Sequence, residues 1–564
     1  MKSLILVAIL AYWPLFKNSG VTGTFCEYRF NHIHAGFDLS TEGKTGLPVR
    51  CYADGFVYMI KVKKNGYGNV IYIKHPKKKL ISVYGHLKSF NGKLQEIVDS
   101  YRKKRKTKYP GLILLEERKI KVKKNEVVAF TGESGAGLPH LHFELRDYNN
   151  NPVDASKHGF DMRFDNTFPV IQGLKIIPQD SFSSINGRKS QVYVKAFKVA
   201  KNRYRFKKIY LSGNLFFSLN VYDTAGRGKV GVKLIKFFLN GSLVFEFNPF
   251  KFSFDNFKQS CCAYDFEDTS LSPTDYFYNL FKIEGCNLGV SKMFSPYRFK
   301  RGKNRVKIVV SDFHNNFSVL TGIVEYRKFK GKPADFSPLS VTAGEKVVFA
   351  DKIESMMFFD NYAVFPYNDR IRKYRYGRLT LEITGINKKK RLLRIYSEKG
   401  TDRFLIPIEG TFFRIERENE FIKTVKYSIA LKKVDKTYGV YFFNKFKKRW
   451  IFIGDEFKDD VNDKVISADY YRVGKIGVFI DKIPPEIKGN PFYFDGKFVI
   501  KVRDRGKGVN DETAVLKGKT GEFFLEYDKD RKWLFYDGKI PSGEYVLTVE
   551  DFAGNRVIKK VRVK

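Results

Sequence analysis

The chain is poor in cysteine. Five cysteines among 564 residues are too few for a disulfide scaffold, so a small disulfide-rich secreted fold is excluded. Their spacing also fails to match a zinc ribbon. Cys261 and Cys262 with Cys286 can form one bridge in an oxidising compartment, which would leave Cys26 and Cys51 as buried thiols. The sequence leaves the redox state open.

Acidic residues are also scarce. The chain has 60 Asp and Glu against 103 Lys and Arg, giving a net charge of +43. Such a charge often indicates a nucleic-acid partner. However, no nucleic-acid motif is present and the basic residues are spread along the chain. We therefore expect no nucleic-acid partner, and expect anionic envelope polymers or lipid head groups as the counterparts of this charge.

The apolar run Leu4–Ala11 is too short to span a bilayer. Because it follows Lys2, it has the charged start and short apolar core of a secretory signal. We expect a signal peptide over residues 1–18 with an uncertain cleavage site, no lipobox before Cys26 and no transmembrane span. The expected location is the periplasm or cell envelope.

Histidine is rare but concentrated. Six of the eight histidines fall between His32 and His142. A hydrolytic zinc site needs three protein ligands and an open position for water, and His34, Asp38 and His142 can supply that set. Leu141–Leu145 alternates apolar and polar residues after a Gly-rich loop, which predicts a strand. In a strand, His140 and His142 project from the same face, so one can hold metal while the other moves protons.

These motifs resemble the M23 (lysostaphin and LytM type) zinc endopeptidases, which cut peptidoglycan peptides. The similarity runs from Thr22 to Asp154, about a quarter of the chain. The matching segments are Gly23–Arg29, His34-x-Gly36-x-Asp38, Gly46–Val49, Ala53–Val57, Gly66–Asn69, Tyr84–Leu87 and Gly137-Leu-Pro-His140-Leu-His142-Phe-x-Glu144.

The resemblance implies that His34, Asp38 and His142 bind Zn²⁺ and that His86 and His140 are catalytic. Zinc-assisted hydrolysis then follows, with His140 as general base and His86 as a stabiliser of the oxyanion. Glu144 and Arg29 are expected to orient ligands or to pack beside them.

Two histidines and one insertion lie outside this pattern. His32 is predicted to have a supporting or surface role, and His75 to end a strand. Between the two catalytic histidines, the stretch Lys88–Lys124 departs from compact family members. Its part Gly92–Tyr101 has helical spacing and is followed by a basic run. The run can line the substrate cleft, although a solvated face is the simpler interpretation.

We expect a mainly β protein, with an antiparallel M23-type catalytic domain followed by β-sandwich, immunoglobulin-like modules. The predicted domains are residues 19–165 (peptidase), 166–330 (sandwich with an insertion that holds Cys261 and Cys262), 331–480 (β-rich) and 481–564 (sandwich).

A degenerate repeat supports the two sandwiches. Pro169–Gly173 matches Pro485–Gly489, Val221–Asp223 matches Val502–Asp504, and the Asp-Phe-x-x-Asn stretch at Asp312–Asn316 matches Asp551–Asn555. We expect the Asp-Phe-x-x-Asn turn to join the last two strands. Calcium binding by these Asp residues is possible in principle, but turn chemistry explains them more simply.

The leading functional hypothesis is an exported zinc metalloendopeptidase that hydrolyses peptidoglycan. An alternative is a non-enzymatic envelope scaffold, regulator or wall-binding protein with an M23-like domain, but all five site residues are present. A third is a basic adhesin whose β modules bind anionic glycans.

Overall fold

The structure is a computed structural model. It describes residues 12–16, 20–29, 32–116, 119–160, 165–178, 183–188, 191–225, 228–256, 263–265, 276–281, 288, 292–293, 299–327, 340–343, 346–349, 357–358, 362–367, 372–385, 391–417, 422–444, 448–459, 464–470 and 473–564.

The chain divides into two compact units, Met1–Ser337 and Pro338–Lys564. The finer domain boundaries at residues 165, 330 and 480 remain predictions. The predicted disulfide residues Cys261, Cys262 and Cys286 lie outside the described residues. Cys26 and Cys51 are buried free thiols.

The N-terminal part of unit 1 is built from short antiparallel strands and one helix. These are β1 (Val21–Gly23), β2 (Tyr28–Arg29), β3 (His32–Ile33), β4 (Phe37–Ser40), β5 (Pro48–Arg50), β6 (Gly55–Val62), β7 (Asn69–His75), β8 (Leu80–Gly85), β9 (Leu87–Phe90), α1 (Lys93–Arg105), β10 (Gly111–Leu114), β11 (Ile120–Val122), β12 (Val127–Thr131), β13 (His140–Asp147) and β14 (Pro152–Val153).

The main sheet of this part has the order β1-β4-β13-β8-β7-β6-β10, and a second sheet has the order β5-β12-β9. The predicted strand around His142 is confirmed as β13, and its alternate residues Leu141, Phe143 and Leu145 are fully buried. The opposite face is buried as well, but it carries the polar side chains of His142, Glu144 and Arg146. The register is therefore fixed, because a shift by one residue would exchange the apolar and polar faces.

The insertion after β9 begins with the predicted helix. α1 buries Leu94 and Val98, and its last turn is basic. β10 and β11 then pair with β6 at the edge of the main sheet. The insertion thus extends the sheet at the edge opposite β1.

Residues 12–15 belong to the folded domain although they fall within the predicted signal segment. Tyr12, Trp13 and Leu15 are buried, and the Tyr12 amide donates to Gly159 O at 2.9 Å. The folded domain therefore extends at least to Tyr12. In the part of the chain that the structure describes, no helix is long and apolar enough to cross a bilayer.

The rest of unit 1 contains β15 (Val170–Pro178), β16 (Ser184–Ile185), β17 (Val192–Lys195), β18 (Phe197–Ala200), β19 (Arg203–Arg205), β20 (Ile209–Ser212), β21 (Leu215–Ala225), β22 (Gly228–Val230), β23 (Leu234–Leu239), β24 (Ser242–Phe247), β25 (Phe277–Asn279), β26 (Lys292–Met293), β27 (Gly302–Ser311) and β28 (Phe317–Tyr326). They form two sheets, with the orders β17-β15-β21-β22 and β16-β20-β28-β27-β23-β24-β26.

The first part of unit 2 contains β29 (Ser340–Ala343), β30 (Lys346–Phe349), β31 (Met357–Phe358), β32 (Tyr362–Tyr367), β33 (Arg372–Tyr376), β34 (Leu379–Gly385), β35 (Arg391–Glu398), β36 (Ile406–Pro407), β37 (Phe412–Arg417), β38 (Ile422–Leu431), β39 (Tyr438–Asn444), β40 (Arg449–Gly454), β41 (Glu456–Asp459), β42 (Lys464–Tyr470) and β43 (Lys475–Ile480). Sheets of order β31-β32-β35-β37-β43-β39-β40 and β33-β34-β38-β42-β41 share a core that includes Ile415, Val478, Leu381 and Ile429.

The last module contains β44 (Glu486–Phe494), β45 (Lys497–Arg503), β46 (Val509–Gly518), β47 (Gly521–Phe524), β48 (Glu526–Asp528), β49 (Trp533–Asp537), β50 (Gly543–Asp551) and β51 (Arg556–Val563). Its two sheets, β44-β45-β49-β48 and β47-β46-β50-β51, enclose one apolar core and make a β-sandwich.

The repeat seen in the sequence is present in the structure. Ile171 on β15 pairs with Val221 on β21, and Ile487 on β44 pairs with Val502 on β45. The Asp-Phe-x-x-Asn turns join β27 to β28 and β50 to β51, as predicted. The two modules therefore place equivalent residues at equivalent points.

Candidate active site

Strand pairing brings the predicted metal ligands together. His142 on β13 lies opposite Asp38 on β4, and His34 comes from the turn that precedes β4. This turn packs directly on β13. A Cβ atom at Gly36 would lie 2.2 Å from Phe143 O, so only glycine allows the close approach.

The three side chains converge on one point. His34 Nε2 lies 3.1 Å from Asp38 Oδ1 and 3.0 Å from His142 Nδ1, and His142 Nδ1 lies 2.9 Å from Asp38 Oδ1. A tetrahedral zinc ion with ligands at about 2.0–2.1 Å separates its ligand atoms by roughly 3.3 Å. The spacing therefore fits a zinc-sized ion after small side-chain shifts.

Each imidazole has its remote nitrogen held by an acceptor. His34 Nδ1 donates to Thr24 O at 2.8 Å, and His142 Nε2 donates to Glu144 Oε1 at 2.7 Å. With the protons on these nitrogens, each ring in its neutral form directs its lone pair towards Asp38. Metal-binding histidines in proteins are oriented in this way. The donor set thus fits a divalent transition metal.

The carboxylates favour positive charge at this point. Burial opposes ionisation of Asp38, but the neighbouring His34 and His140 hold the pKa of its carboxyl well below the usual range. Burial alone would lower the pKa of His142, but hydrogen bonds to Asp38 and Glu144 raise it to about 9. A metal cation bound between these side chains would take the place of the proton that His142 gains when its pKa is raised.

The two predicted catalytic histidines lie beside the ligands. The ring centroids of His86 and His140 are 4.5 Å apart, and His140 Nε2 is 3.6 Å from Asp38 Oδ1. His140 is the first residue of β13 and shares a face with His142. His86 follows Gly85, the partner of His142 on β8, and adopts a left-handed conformation with φ 59°. Such strain in a non-glycine residue is common at functional sites.

Both rings have a defined proton position. His140 Nδ1 donates to Leu138 O at 2.6 Å, and His86 Nδ1 donates to Ser134 O at 2.8 Å. Each neutral ring therefore offers a lone pair at Nε2. Burial, followed by the charges of His140 and His142, lowers the pKa of His86 to about 3. Donation from His86 to an oxyanion would require a proton at Nε2.

A buried network supports His142 from behind. Glu144 also accepts hydrogen bonds from Arg146 Nε at 2.6 Å and from the Tyr67 hydroxyl. Burial opposes ionisation of Glu144, but Arg146 and His142 hold its pKa far below the usual range. The Tyr67 ring lies 5.2 Å from the ring of His142 and stacks with His86. Glu144 thus fixes the orientation of the His142 ring, and its role beside a metal ligand remains a prediction.

A second network supports Asp38 and reaches the following module. Arg29 Nη2 donates to Asp38 Oδ2 at 2.7 Å, and Nη1 donates to Glu27. Glu27 is buried and accepts a further bond from the Gly231 amide at 3.0 Å. The hydroxyl of Thr24, whose carbonyl holds His34, lies 3.1 Å from Gly231 O. Gly231, which directly follows β22, therefore contacts both Glu27 and Thr24, the residues that support the predicted ligands Asp38 and His34.

The other histidines are structural or peripheral. His75 ends β7, as predicted, where Nε2 lies 2.7 Å from Ser82 Oγ. His32 is half-buried on β3, and burial with the charge of His34 lowers its pKa to about 4. The sequence did not reveal the roles of Glu27, Tyr67 and Gly231. Glu27 and Tyr67 lie in motifs that were recognised, but nothing local marks Gly231.

Two imidazoles and one carboxylate with converging lone pairs, next to two further histidines on an antiparallel sheet, are the features of a metal-dependent hydrolase site. Residues 32–101 match peptidase family M23. The chain therefore carries an M23 peptidase domain.

Several solved structures are similar to about a quarter of the chain. A mutant catalytic domain of the prophage-encoded M23 protein EnpA from Enterococcus faecalis is 22% identical, and the match covers 27% of this chain and 98% of that one, with a TM-score of 0.20. The catalytic domain of the antimicrobial peptidase lysostaphin from Staphylococcus simulans is 20% identical. This match covers 24% of this chain and 87% of that one, with a TM-score of 0.18. LytU is 22% identical, and the match covers 26% of this chain and 89% of that one, with a TM-score of 0.19. No curated protein sequence matches the chain significantly.

Proposed function

We propose that the protein is an exported zinc metalloendopeptidase that hydrolyses peptide bonds of peptidoglycan in the bacterial envelope. The convergence of His34 Nε2, His142 Nδ1 and Asp38 Oδ1, with both remote nitrogens hydrogen-bonded to acceptors, carries this proposal. The resemblance to M23 peptidoglycan hydrolases supports the substrate. The net charge of +43 favours an anionic polymer as the surface on which the enzyme acts.

His34, Asp38 and His142 would hold the zinc. When bound, zinc supplies Lewis acidity that polarises the scissile carbonyl and lowers the pKa of water. Thr24, Arg29 and Glu144 keep the three side chains in position through the bonds described above. Because Glu144 and Arg146 form a buried ion pair beside His142, that ring is fixed by more than one contact.

His140 is our candidate for the general base. Its Nδ1 is tied to Leu138 O, so Nε2 is free to accept a proton on the side that faces Asp38. A base must lie within hydrogen-bond reach of the attacking water, directly beside the ligands. The ring is only partly buried, which leaves it accessible to substrate.

His86 is our candidate for the residue that stabilises the oxyanion. This role needs a proton at Nε2, since Nδ1 is occupied by Ser134 O. His86→Gln keeps an N–H donor in a similar place, whereas His86→Ala removes it. If His86 acts as a donor, the Gln variant will be faster than the Ala variant. Equal rates would contradict the donor role.

The test combines metal analysis with product analysis on purified full-length protein. We expect about one zinc per chain, peptide fragments released from peptidoglycan, and loss of activity with a chelator. His34→Ala, Asp38→Ala and His142→Ala should lose zinc. His140→Ala and His86→Ala should keep zinc but lose turnover by on the order of a hundredfold.

His158→Ala is the matched control, because His158 is exposed and lies outside this cluster. It should keep both zinc and activity. Full zinc retention in His142→Ala would contradict the ligand assignment. Zinc binding without hydrolysis of any peptidoglycan preparation would instead favour a non-enzymatic wall-binding role.

A further inference from the structure

The two repeated modules contain the same turn, which begins with a buried aspartate. In the first, Asp312 Oδ1 accepts from the Asn316 amide at 2.9 Å and Oδ2 accepts from Asn316 Nδ2 at 2.8 Å. In the second, Asp551 makes the same two bonds with Asn555, both at 2.8 Å. These bonds account for the two turn aspartates, in agreement with the sequence analysis.

A second aspartate stands next to each turn. Asn316 Nδ2 also donates to Asp165 O at 2.9 Å, and Asn555 Nδ2 donates to Asp481 O at 3.1 Å. Both aspartates precede the matching Pro169 and Pro485 by four residues. The segment that leads into each module is thus hydrogen-bonded to the last turn of that module.

A third aspartate completes each cluster. Asp223 lies on β21 and Asp504 directly follows β45, at the matching positions of the repeat. Ligand atoms of Asp481, Asp504 and Asp551 all lie within 4.8 Å of one another, and the same holds for Asp165, Asp312 and His314. Thr167 Oγ1 donates to Thr224 O at 3.3 Å, which places the Asp165 segment beside Asp223 on β21. The last module therefore gathers three carboxylates at one end, and the first module places Asp223 next to the matching cluster.

Turn chemistry does not account for the third aspartates. Asp223 is 5% exposed, and its buried Oδ1 has no hydrogen-bond partner among the described residues. The buried Oδ1 of Asp504 likewise lacks a partner there, although Oδ2 accepts from the Gly506 and Gly508 amides at 2.8 Å. A buried carboxylate oxygen without a donor is costly unless it binds a proton or a cation.

The carboxylates repel one another. Burial, followed by the charges of Asp312 and Asp165, raises the pKa of Asp223 to about 8. Burial also raises the pKa of Asp504 to about 6, and Asp481 and Asp551 contribute to the shift. Nearby cations compensate only in part. Burial raises the pKa of Asp481, and Lys507 only opposes this shift, because its ammonium group is bound to Lys436 O and Asp455.

We propose that each three-aspartate cluster binds one calcium ion. Asp165, Asp223 and Asp312 form the first site, and Asp481, Asp504 and Asp551 form the second. His314, which could add a nitrogen ligand to the first site, is replaced by Ala553 in the repeat. The donor set that the modules share consists of oxygen alone, which favours a hard cation over zinc.

Calcium is preferred to magnesium because the clusters are irregular. Calcium accepts six to eight oxygen ligands in flexible geometry, whereas magnesium demands a near-ideal octahedron and keeps several waters. Here the carboxylates come from a module entry, a strand end and a turn, and most are deeply buried. The ion would bind these three segments together and compensate the negative charge of the buried carboxylates.

The test uses full-length zinc-loaded protein in buffer freed of calcium by a chelating resin. Equilibrium dialysis against Ca²⁺ should give about two ions per chain, over a range that includes the 10⁻⁴–10⁻³ M typical of extracellular modules. Asp223→Asn and Asp504→Asn should each lose one ion, and the double variant should lose both. Asp537→Asn removes an exposed carboxylate of the last module and should keep both ions.

Three results would overturn the proposal. The first is an absence of calcium binding up to about 10 mM, well above that affinity range. The second is unchanged calcium binding in both single variants. The third is competition by Mg²⁺ at a concentration equal to or lower than that of Ca²⁺. Should Asp223→Asn fail to fold, Asp165→Asn tests the same site at a less buried position. Zinc content, measured in parallel, reports whether the peptidase domain has kept its structure.

Discussion

Arg29 links the proposed metal ligand Asp38 to the buried Glu27, and replacing it with methionine tests whether this link matters for metal binding. Arg29→Met keeps the apolar stem of the side chain but removes both hydrogen bonds of the guanidinium. Asp38 Oδ2 then loses its 2.7 Å partner, while Oδ1, which faces His34 and His142, is unchanged in its own contacts. The carboxylate becomes free to rotate away from the metal.

The expected loss of zinc affinity is about 10–100-fold, the range typical for removal of a partner that orients a ligand. A hydrogen bond to a charged group contributes about 1.5–3 kcal/mol, which corresponds to a similar factor. Glu27 keeps the Gly231 amide and the Thr24 amide and hydroxyl as donors, so the fold itself should survive. The loss should therefore appear in affinity rather than in expression or solubility.

The assay is competition for zinc against a chromophoric chelator at fixed pH, with circular dichroism to verify folding. Arg102→Met is a matched control. The Arg102 side chain is paired with Asp99, and its exposure of 30% matches the 29% of the Arg29 side chain. Unchanged zinc affinity in folded Arg29→Met, or an equal loss in Arg102→Met, would refute the reasoning.

Gly231→Ala extends the same test to the following module. A Cβ atom at Gly231 would lie 3.2 Å from Glu27 Cγ and 3.1 Å from the Tyr278 hydroxyl, so Glu27 must shift. We expect a smaller loss of zinc affinity in the same direction. Because both changes act through Glu27, their effects in the double variant should not add. Simple additivity would show that the module does not act on Asp38 through this chain.

Three further outcomes follow from burial and close packing. Gly36→Ala should abolish zinc binding, because its Cβ would collide with Phe143 O at 2.2 Å; a zinc-replete variant would contradict the packing. Burial lowers the pKa of His75 from 6.5 to about 4, so its folded form binds the proton less well than its unfolded form. Stability is thus lost as pH falls from about 6.5 to 4, by roughly 3 kcal/mol at most, and denaturant titrations of His75→Gln should lack that part of the pH dependence. Burial raises the pKa of Cys51 to about 12 and that of Cys26 still higher, so iodoacetamide followed by peptide mapping should label them only after denaturation; rapid labelling of the native protein would contradict their burial.

Sequence motifs were sufficient to predict the local features of the site. The period-two alternation around His142 correctly placed His140 and His142 on one face of a strand, because successive side chains in a strand point to opposite faces. The rare histidines, together with Asp38, indicated a ligand set whose side chains the structure brings within hydrogen-bond distance. The spacing of apolar residues after Gly92 likewise predicted the helix that the structure contains over Lys93–Arg105.

The repeat was also predicted from the sequence, but the carboxylate cluster in each module was not. Matching turns at Asp312 and Asp551 predicted where the last strands join, and local turn chemistry explained those residues. Asp223 joins Asp165 and Asp312 only when β15 and β21 pair, so its buried oxygen became visible only in the folded module. Sequence reasoning therefore preferred the turn interpretation over a cation site.

The amino-acid sequence by itself predicted the strand that carries two of the histidines and the family of the N-terminal domain, and it was sufficient to propose the ligand types. Only the tertiary structure decided which residues hold those ligands in place. Gly231 lies 204 residues from Glu27, and no periodic pattern relates them. Local patterns record which face a side chain takes, whereas contacts between distant segments depend on how whole sheets pack, and that information is spread over many residues.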